Sequence, residues 1–235
     1  MKFIKAKNYE ELSQIAGKII AEQVKEKPNC VIGLATGSSP VGTYKYLANE
    51  CKKGLDFSKV KTINLDEYVG LNGEHEQSYR RFMNENLFDN INIDKKNTYV
   101  PNGVAKDLEK ETQEYDKRIE DFGGIDLQLL GIGVDGHIGF NEPDEYFTAE
   151  THVVTLDPST IEVNARFFTS KDEVPRQAIT MGMKGIMTAK KIVLVANGKN
   201  KKDVLEKAIY GKITPQIPAS ILQLHKDITI IFSEE

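Results

Sequence analysis

Tryptophan is absent from the 235 residues, and cysteine occurs only twice, at Cys30 and Cys51. Neither cysteine falls in a CxxC or Cys/His ligand spacing, which excludes a zinc-ribbon or disulfide-stapled framework; both are expected to be buried thiols. No uninterrupted apolar run approaches the roughly 20 residues that span a bilayer. The stretch from Met1 to Lys7 has no apolar core of a secretion signal, so a soluble, cytoplasmic protein is expected. An excess of positive charge is missing as well: 31 Lys and Arg stand against 35 Asp and Glu, a formal net charge of −4. That balance supplies no broad field for nucleic acid, so an anion must be held by a local, shaped site, which suits a small phosphorylated metabolite better than a polymer. Repeats, low-complexity tracts and long Pro/Gly/Ser linkers are lacking too, and residues 1–235 are expected to form a single domain.

What is present is an alternation of short apolar runs with helical spacing. The run Cys30 to Ala35 ends in Thr36-Gly37-Ser38-Ser39-Pro40, after which Tyr44, Leu47 and Ala48 recur at helical intervals. Val60 to Leu65 precedes a helix from about Ser78 to Phe88, and a helix from about Ala105 to Phe122 leads to Leu127–Leu130. Lys191 to Ala196 precedes a helix over Lys201–Tyr210, and Ile228–Phe232 is a last strand. The pattern predicts an α/β fold, a mostly parallel sheet with helices on both faces. Two irregular stretches, Val69 to Glu76 and Glu142 to Thr151, follow strand ends, where such sheets place ligands.

The loop Thr36-Gly37-Ser38-Ser39-Pro40 offers close backbone approach, hydroxyls and a proline suited to the first position of a helix, a combination that attracts a phosphate dianion. Taken alone it is equally an ordinary strand-to-helix turn with Ser39 as N-cap. It lacks the Gly-Lys-Ser/Thr ending of a Walker loop and is not GxGxxG, which argues against ATP and dinucleotides. Arg166 and Lys201 are candidate cationic partners for a phosphate, although by spacing alone a solvated surface charge is the preferred reading of either.

The thirteen residues Gly131 to Pro143 carry four glycines together with Asp135, His137, Asn141 and Glu142. Imidazole, with an ordinary pKa of about 6.5, transfers protons in both directions near neutrality, and a carboxylate from Asp135 or Glu142 can fix its tautomer. A capping or core histidine is the bland alternative; the convergence of three ionisable groups in one glycine-rich loop favours acid/base chemistry. One histidine and two carboxylates in a single loop make a poor zinc set, so no metal is expected. Asp66, in Asn64-Leu65-Asp66-Glu67-Tyr68-Val69-Gly70, ends another strand and serves as a base near pH 7 only if partly desolvated or placed near a group that holds substrate in reach; by spacing alone a solvated strand-end aspartate is the preferred reading.

Together Leu34-Ala35-Thr36-Gly37-Ser38-Ser39-Pro40, Asn64 to Gly70 and Gly133 to Pro143 resemble the glucosamine-6-phosphate deaminase (isomerase) family, and the resemblance continues through Ala165-Arg166-Phe167-Phe168 and Ser220 to His225. It implies a modified doubly wound sheet like that of ribose-5-phosphate isomerase and 6-phosphogluconolactonase, with no metal or organic cofactor. It also implies conversion of glucosamine 6-phosphate and water to fructose 6-phosphate and ammonia. His137 then opens the sugar ring, assisted by Asp135 and Glu142; Asp66 moves the C2 proton to C1; and Thr36, Gly37, Ser38, Arg166 and Lys201 contact the phosphate. Where many relatives have Thr-Gly-Gly-Thr this chain has Thr-Gly-Ser-Ser. It stops at Glu235, short of the C-terminal segment of the hexameric, activated relatives, and has His152 and Val154 where those carry basic effector-binding residues. The expected partners are a sugar phosphate and, at most, further copies of the chain: a monomer or small homo-oligomer rather than an allosteric hexamer, with no nucleic acid and no membrane. The rival enzyme, 6-phosphogluconolactonase, shares the phosphate loop and the Asp-Gly-His segment but neither Asp66 nor Glu142 in its pattern. A sugar-phosphate-sensing regulator is the non-enzyme alternative.

Overall fold

The computed structural model describes residues 1–165, 168, 170 and 173–235. The chain runs β1 (Lys2–Lys5), α1 (Tyr9–Glu26), β2 (Val31–Leu34), α2 (Val41–Lys52), β3 (Lys61–Asn64), β4 (Asp66–Tyr68), α3 (Tyr79–Asn86), β5 (Thr98–Tyr99), α4 (Leu108–Asp121) and β6 (Leu127–Leu130). It continues through β7 (His152–Thr155), α5 (Pro158–Asn164), β8 (Gln177–Thr180), α6 (Met183–Met187), β9 (Lys191–Asn197), α7 (Lys202–Tyr210) and β10 (Ile228–Ser233). Seven strands form a parallel sheet in the order β1-β10-β9-β6-β2-β3-β5, and β4-β8-β7 form a second, antiparallel sheet.

The main strands are apolar at successive positions because both faces of the sheet are covered. Val31, Ile63, Leu130, Ile192, Leu194 and Ile230 pack on one side with residues of α4, α6 and α7. Their period-two neighbours Ile32, Leu34, Leu127, Leu129, Val193, Val195 and Ile231 pack on the other with α1, α2 and α3. Among the described residues no helix is long and apolar enough to cross a membrane.

Helix starts follow local chemistry. The Asn8 side chain accepts from Glu11 N at 2.9 Å at the head of α1, and Ser78 Oγ accepts from Arg80 N at 3.1 Å at the head of α3. The head of α2 departs from the sequence expectation: Val41 is the first helical residue, Pro40 holds the cap position, and no side chain caps it, Ser39 included.

At the N-terminal ends of β2 and β6, the buried Asp126 carboxylate takes Lys27 Nζ at 2.8 Å, Lys190 Nζ at 2.7 Å and Val31 N at 2.9 Å. Burial acts to raise its pKa, but the two lysines and the amide outweigh it and hold the group below the ordinary carboxylate range. Its contribution to stability is therefore present at neutral pH and is lost as pH falls through that lowered value. Asp126→Asn is expected to cost about 2–4 kcal/mol at pH 7 by denaturant unfolding, and less at pH 3.

Candidate active site

Four loops meet at the C-terminal rim of four adjacent strands, β9, β6, β2 and β3. The chain steps from β2 outward to β3 and β5, then returns to the other side of β2 with β6, so the sheet's topological switch point lies between β2 and β6. Open parallel sheets bind ligands in the crevice at that point. The loop after β2 is Thr36 to Pro40, and the loop after β6 is Gly131 to Pro143.

Thr36 is half-buried, and Gly37 and Ser38 are exposed at the rim. Gly37 has φ 91°, the left-handed region, while a Cβ added to it would meet nothing within 4 Å. Glycine serves the backbone conformation here rather than clearance.

In the second loop His137 Nδ1 stands 2.7 Å from Asp135 Oδ1, and the same oxygen accepts from His137 N at 3.1 Å. The ring nitrogen approaches off its N–H axis, so the pairing is electrostatic more than an aligned hydrogen bond. For Asp135, burial pushes upward, but the imidazole and the His137 amide prevail and hold the carboxyl down at about 2. The ring lies against the backbone of Gly133, where an added Cβ would come within 2.3 Å of His137 Cε1 and Nδ1. Gly133→Ala is therefore expected to displace the imidazole and lower kcat/KM about tenfold or more, with the melting temperature changed by no more than a few degrees.

Asp66 opens β4 of the small sheet, opposite Thr180 of β8. The chain passes between the two sheets at Leu65, whose N–H bonds Leu34 O and whose carbonyl accepts from Met181 N. Asp66 is 6% exposed, and its Oδ1 has no hydrogen-bond partner among the described residues. Burial, and secondarily the neighbouring Glu67, push its pKa up to about 8. Gly139 of the His137 loop lies beside it: a Cβ there would be 3.5 Å from Asp66 Oδ2 and 2.9 Å from Thr180 Oγ1, which also accepts from Phe140 N at 3.0 Å. Asp66 and the His137 loop thus share one wall, built by an antiparallel pairing that the sequence pattern did not disclose.

Glu142 points elsewhere. Its Oε2 accepts from Asp157 N at 2.8 Å and its Oε1 from Thr160 Oγ1, so it caps the start of α5. It also lines a cleft of about 200 Å³ with Asn141, Pro143, His152, Val154 and Met183. Asp66, Asp135 and His137 do not line that cleft.

Lys201 closes the 3-10 turn after β9 and is half-buried, whereas Lys199 and Lys202 are exposed. Burial lowers its pKa, and the negative charge of Asp135 opposes the shift. Arg166 lies outside the described residues. Among the described residues no group of three or more His, Cys, Asp or Glu side chains is placed to hold a metal ion.

Two contributors escaped the sequence reading. Glu67 is 2% exposed and its carboxylate accepts from Ser78 Oγ at 2.8 Å, Tyr79 N at 3.0 Å, Arg80 N at 3.0 Å and Tyr68 N at 2.9 Å, fixing the N-terminus of α3 against β4. Tyr79 in turn stacks on Phe140 with ring centroids 6.0 Å apart and meets Tyr68 in a tilted contact at 4.9 Å, an apolar wall beside Asp66. The second is Tyr9, on α1, whose hydroxyl binds the backbone of the loop after β2. Apart from the adjacent Tyr68 amide, their hydrogen-bond partners lie 11 or more residues away, beyond any local pattern.

Chains of known function set this geometry in context. The sequence profile of the glucosamine-6-phosphate isomerases/6-phosphogluconolactonase family matches residues 5–231. Among curated relatives, a glucosamine-6-phosphate deaminase of Lachnoclostridium phytofermentans is 60% identical over 232 residues, 98% of each chain. One of Clostridium perfringens strain 13 is 58% identical over 236 residues, 100% of this chain and 98% of its own. A solved monomeric glucosamine-6-phosphate deaminase superposes with a TM-score of 0.97 at 45% identity, covering 99% of this chain and 97% of its own. The 6-phosphogluconolactonase of Trypanosoma cruzi shares the fold, with a TM-score of 0.79 at 22% identity, 99% of this chain and 94% of its own. With matches of this extent and identity, the chain belongs to the glucosamine-6-phosphate isomerase/6-phosphogluconolactonase family, and within it to the glucosamine-6-phosphate deaminases.

Proposed function

We propose that this chain converts glucosamine 6-phosphate and water to fructose 6-phosphate and ammonia. The observation that carries the reading is the buried carboxyl of Asp66, desolvated against the loop that also presents the His137–Asp135 pair. A base near pH 7 must be lifted out of the ordinary carboxylate range, and burial does this for Asp66.

The steps balance with the chain's own groups. His137, oriented by Asp135, moves a proton between the anomeric hydroxyl and the ring oxygen, which opens the hemiacetal to the C1 aldehyde. The aldehyde acidifies C2–H; Asp66 takes that proton, giving the enolate of an enolamine, and returns it to C1, and a proton passing from the C2 nitrogen to the C1 oxygen leaves an imine at C2. Water adds to the imine carbon and ammonia departs, leaving the C2 ketone. Carbon skeleton and net oxidation state are conserved, so the reaction calls for no redox partner. In this reading Thr36, Gly37, Ser38, Arg166 and Lys201 hold the phosphate, and Glu142 acts on the loop rather than on the imidazole directly, through its cap on α5.

The fold is shared with lactonases, so the choice between the two reactions rests on residues. Lactone hydrolysis needs an activated water and no base at C2, which leaves a buried Asp66 without a task. Offered glucosamine 6-phosphate and 6-phosphogluconolactone side by side, the protein is expected to release ammonia from the first and leave the second unhydrolysed. The reverse result would assign it to the lactonases.

For assembly, a monomer or small homo-oligomer without allosteric activation is the reading supported by His152 and Val154. Val154 has no charge to offer an anionic effector, and His152 Nδ1 is engaged by Glu150 O at 2.9 Å. The rate is expected to depend hyperbolically on substrate and to be unchanged by N-acetylglucosamine 6-phosphate. A sigmoidal curve made hyperbolic by that compound would contradict this.

A further inference from the structure

The loop after β2 is held from behind by a side chain that no motif singled out. Tyr9 stands in the first turn of α1, and its hydroxyl donates to Ser38 O at 2.9 Å, shared with Ser39 O at 3.2 Å. The same oxygen accepts from Gly42 N, in the first turn of α2, at 2.8 Å. One hydroxyl thus uses its proton on the loop and a lone pair on the helix that follows it. α1 approaches closely enough for this because Gly42 has no side chain: a Cβ there would lie 2.2 Å from Ser13 Oγ.

The consequence for ligand binding follows from amide geometry. All peptide bonds of the described residues are trans, and in a planar trans peptide the C=O and N–H point in opposite directions. With Ser38 C=O turned toward Tyr9, the Ser39 N–H of that peptide faces away from α1, on the open side of the loop. The following peptide, between Ser39 and Pro40, has no N–H to present. The Gly42 N–H, which would otherwise be an unsatisfied donor of the helix start, is occupied by Tyr9 and does not compete for an anion.

We infer that Tyr9 is a positioning residue for phosphate recognition: by fixing the Ser38–Ser39 peptide and the first turn of α2, its hydroxyl aims the Ser39 amide at the substrate's phosphate. This rests on the assignment of the loop as the phosphate site. The ring is half-buried against the core beneath α1, so Tyr9→Phe keeps the packing and removes only the hydroxyl.

The test uses the full chain with inorganic phosphate as probe. Tyr9→Phe is expected to weaken phosphate binding about tenfold by calorimetric titration and to raise KM for glucosamine 6-phosphate by a similar factor, with kcat within about twofold. A readout that needs no variant is the Ser39 amide resonance of the wild type, which is expected to shift on phosphate addition. A Tyr9→Phe protein with a lowered melting temperature but unchanged phosphate affinity, or a wild-type Ser39 amide insensitive to phosphate, would overturn the inference while leaving the deaminase reading intact. Failure of the wild type to bind phosphate at all would remove the loop as an anion site, and the inference with it.

Discussion

Asp66→Asn is expected to lower kcat/KM for ammonia release by about a thousandfold, while making the protein more stable at alkaline pH. Both effects have one cause. The carboxyl is almost fully buried, one oxygen has no hydrogen-bond partner among the described residues, and burial lifts its pKa to about 8. Between the ordinary carboxyl range near 4 and that value, the folded protein keeps a proton that the unfolded chain has released. Stability therefore falls as pH rises through this window, at up to about 1.4 kcal/mol per pH unit from this group and on the order of 5 kcal/mol in all. Asparagine does not titrate, so the difference between variant and wild type isolates the term. Denaturant unfolding of both from pH 5 to pH 9 should show the curves diverging as pH rises, the variant ahead. In the free enzyme, kcat/KM should rise with pH toward about 8 as Asp66 gives up its proton. Parallel stability curves would mean that the native carboxyl ionises in the ordinary range and that burial is not the source of its basicity.

His137→Gln is expected to reduce kcat/KM about 10²–10³-fold, because glutamine keeps a hydrogen-bonding side chain but cannot carry a proton between the anomeric oxygen and the ring oxygen. The loss should be smaller than that of Asp66→Asn, since sugar rings open slowly on their own and supply some aldehyde to an intact Asp66. A second signature is local: without the imidazole partner, the Asp135 carboxyl should move up from about 2, visible in a carbon-detected pH titration of its side chain. If His137→Gln retains activity within threefold of wild type, ring opening is not its task.

Much of this was legible in the sequence, and the parts that were not have identifiable reasons. The strand over Leu127–Leu130 and those over Val31–Leu34, Lys191–Asn197 and Ile228–Ser233 stand out as β-rich apolar runs because both faces of each are buried. β1, with three of its four residues exposed at the edge of the sheet, carries no such signal. The small sheet was hidden for a different reason: β4 is three residues long and contains two carboxylates, and its pairing with β8 joins residues more than a hundred positions apart. That pairing buries Asp66, whereas spacing alone favoured a solvated strand-end aspartate. Asp135 and His137, two residues apart, form their pair inside one loop and could be grouped from sequence alone; Glu142, in the same loop, turns to α5. The loop after β2 stood out in the sequence as Thr36-Gly37-Ser38, but the hydroxyl bonded to its Ser38 carbonyl comes from Tyr9, 29 residues earlier.

The most direct test of the deaminase account is a product balance: purified protein, glucosamine 6-phosphate and a metal chelator, with ammonia and fructose 6-phosphate quantified over time. The account predicts the two products in one-to-one ratio at an undiminished rate, and their joint disappearance in Asp66→Asn. Fructose 6-phosphate without ammonia, ammonia without the ketose phosphate, or full activity in Asp66→Asn would contradict it.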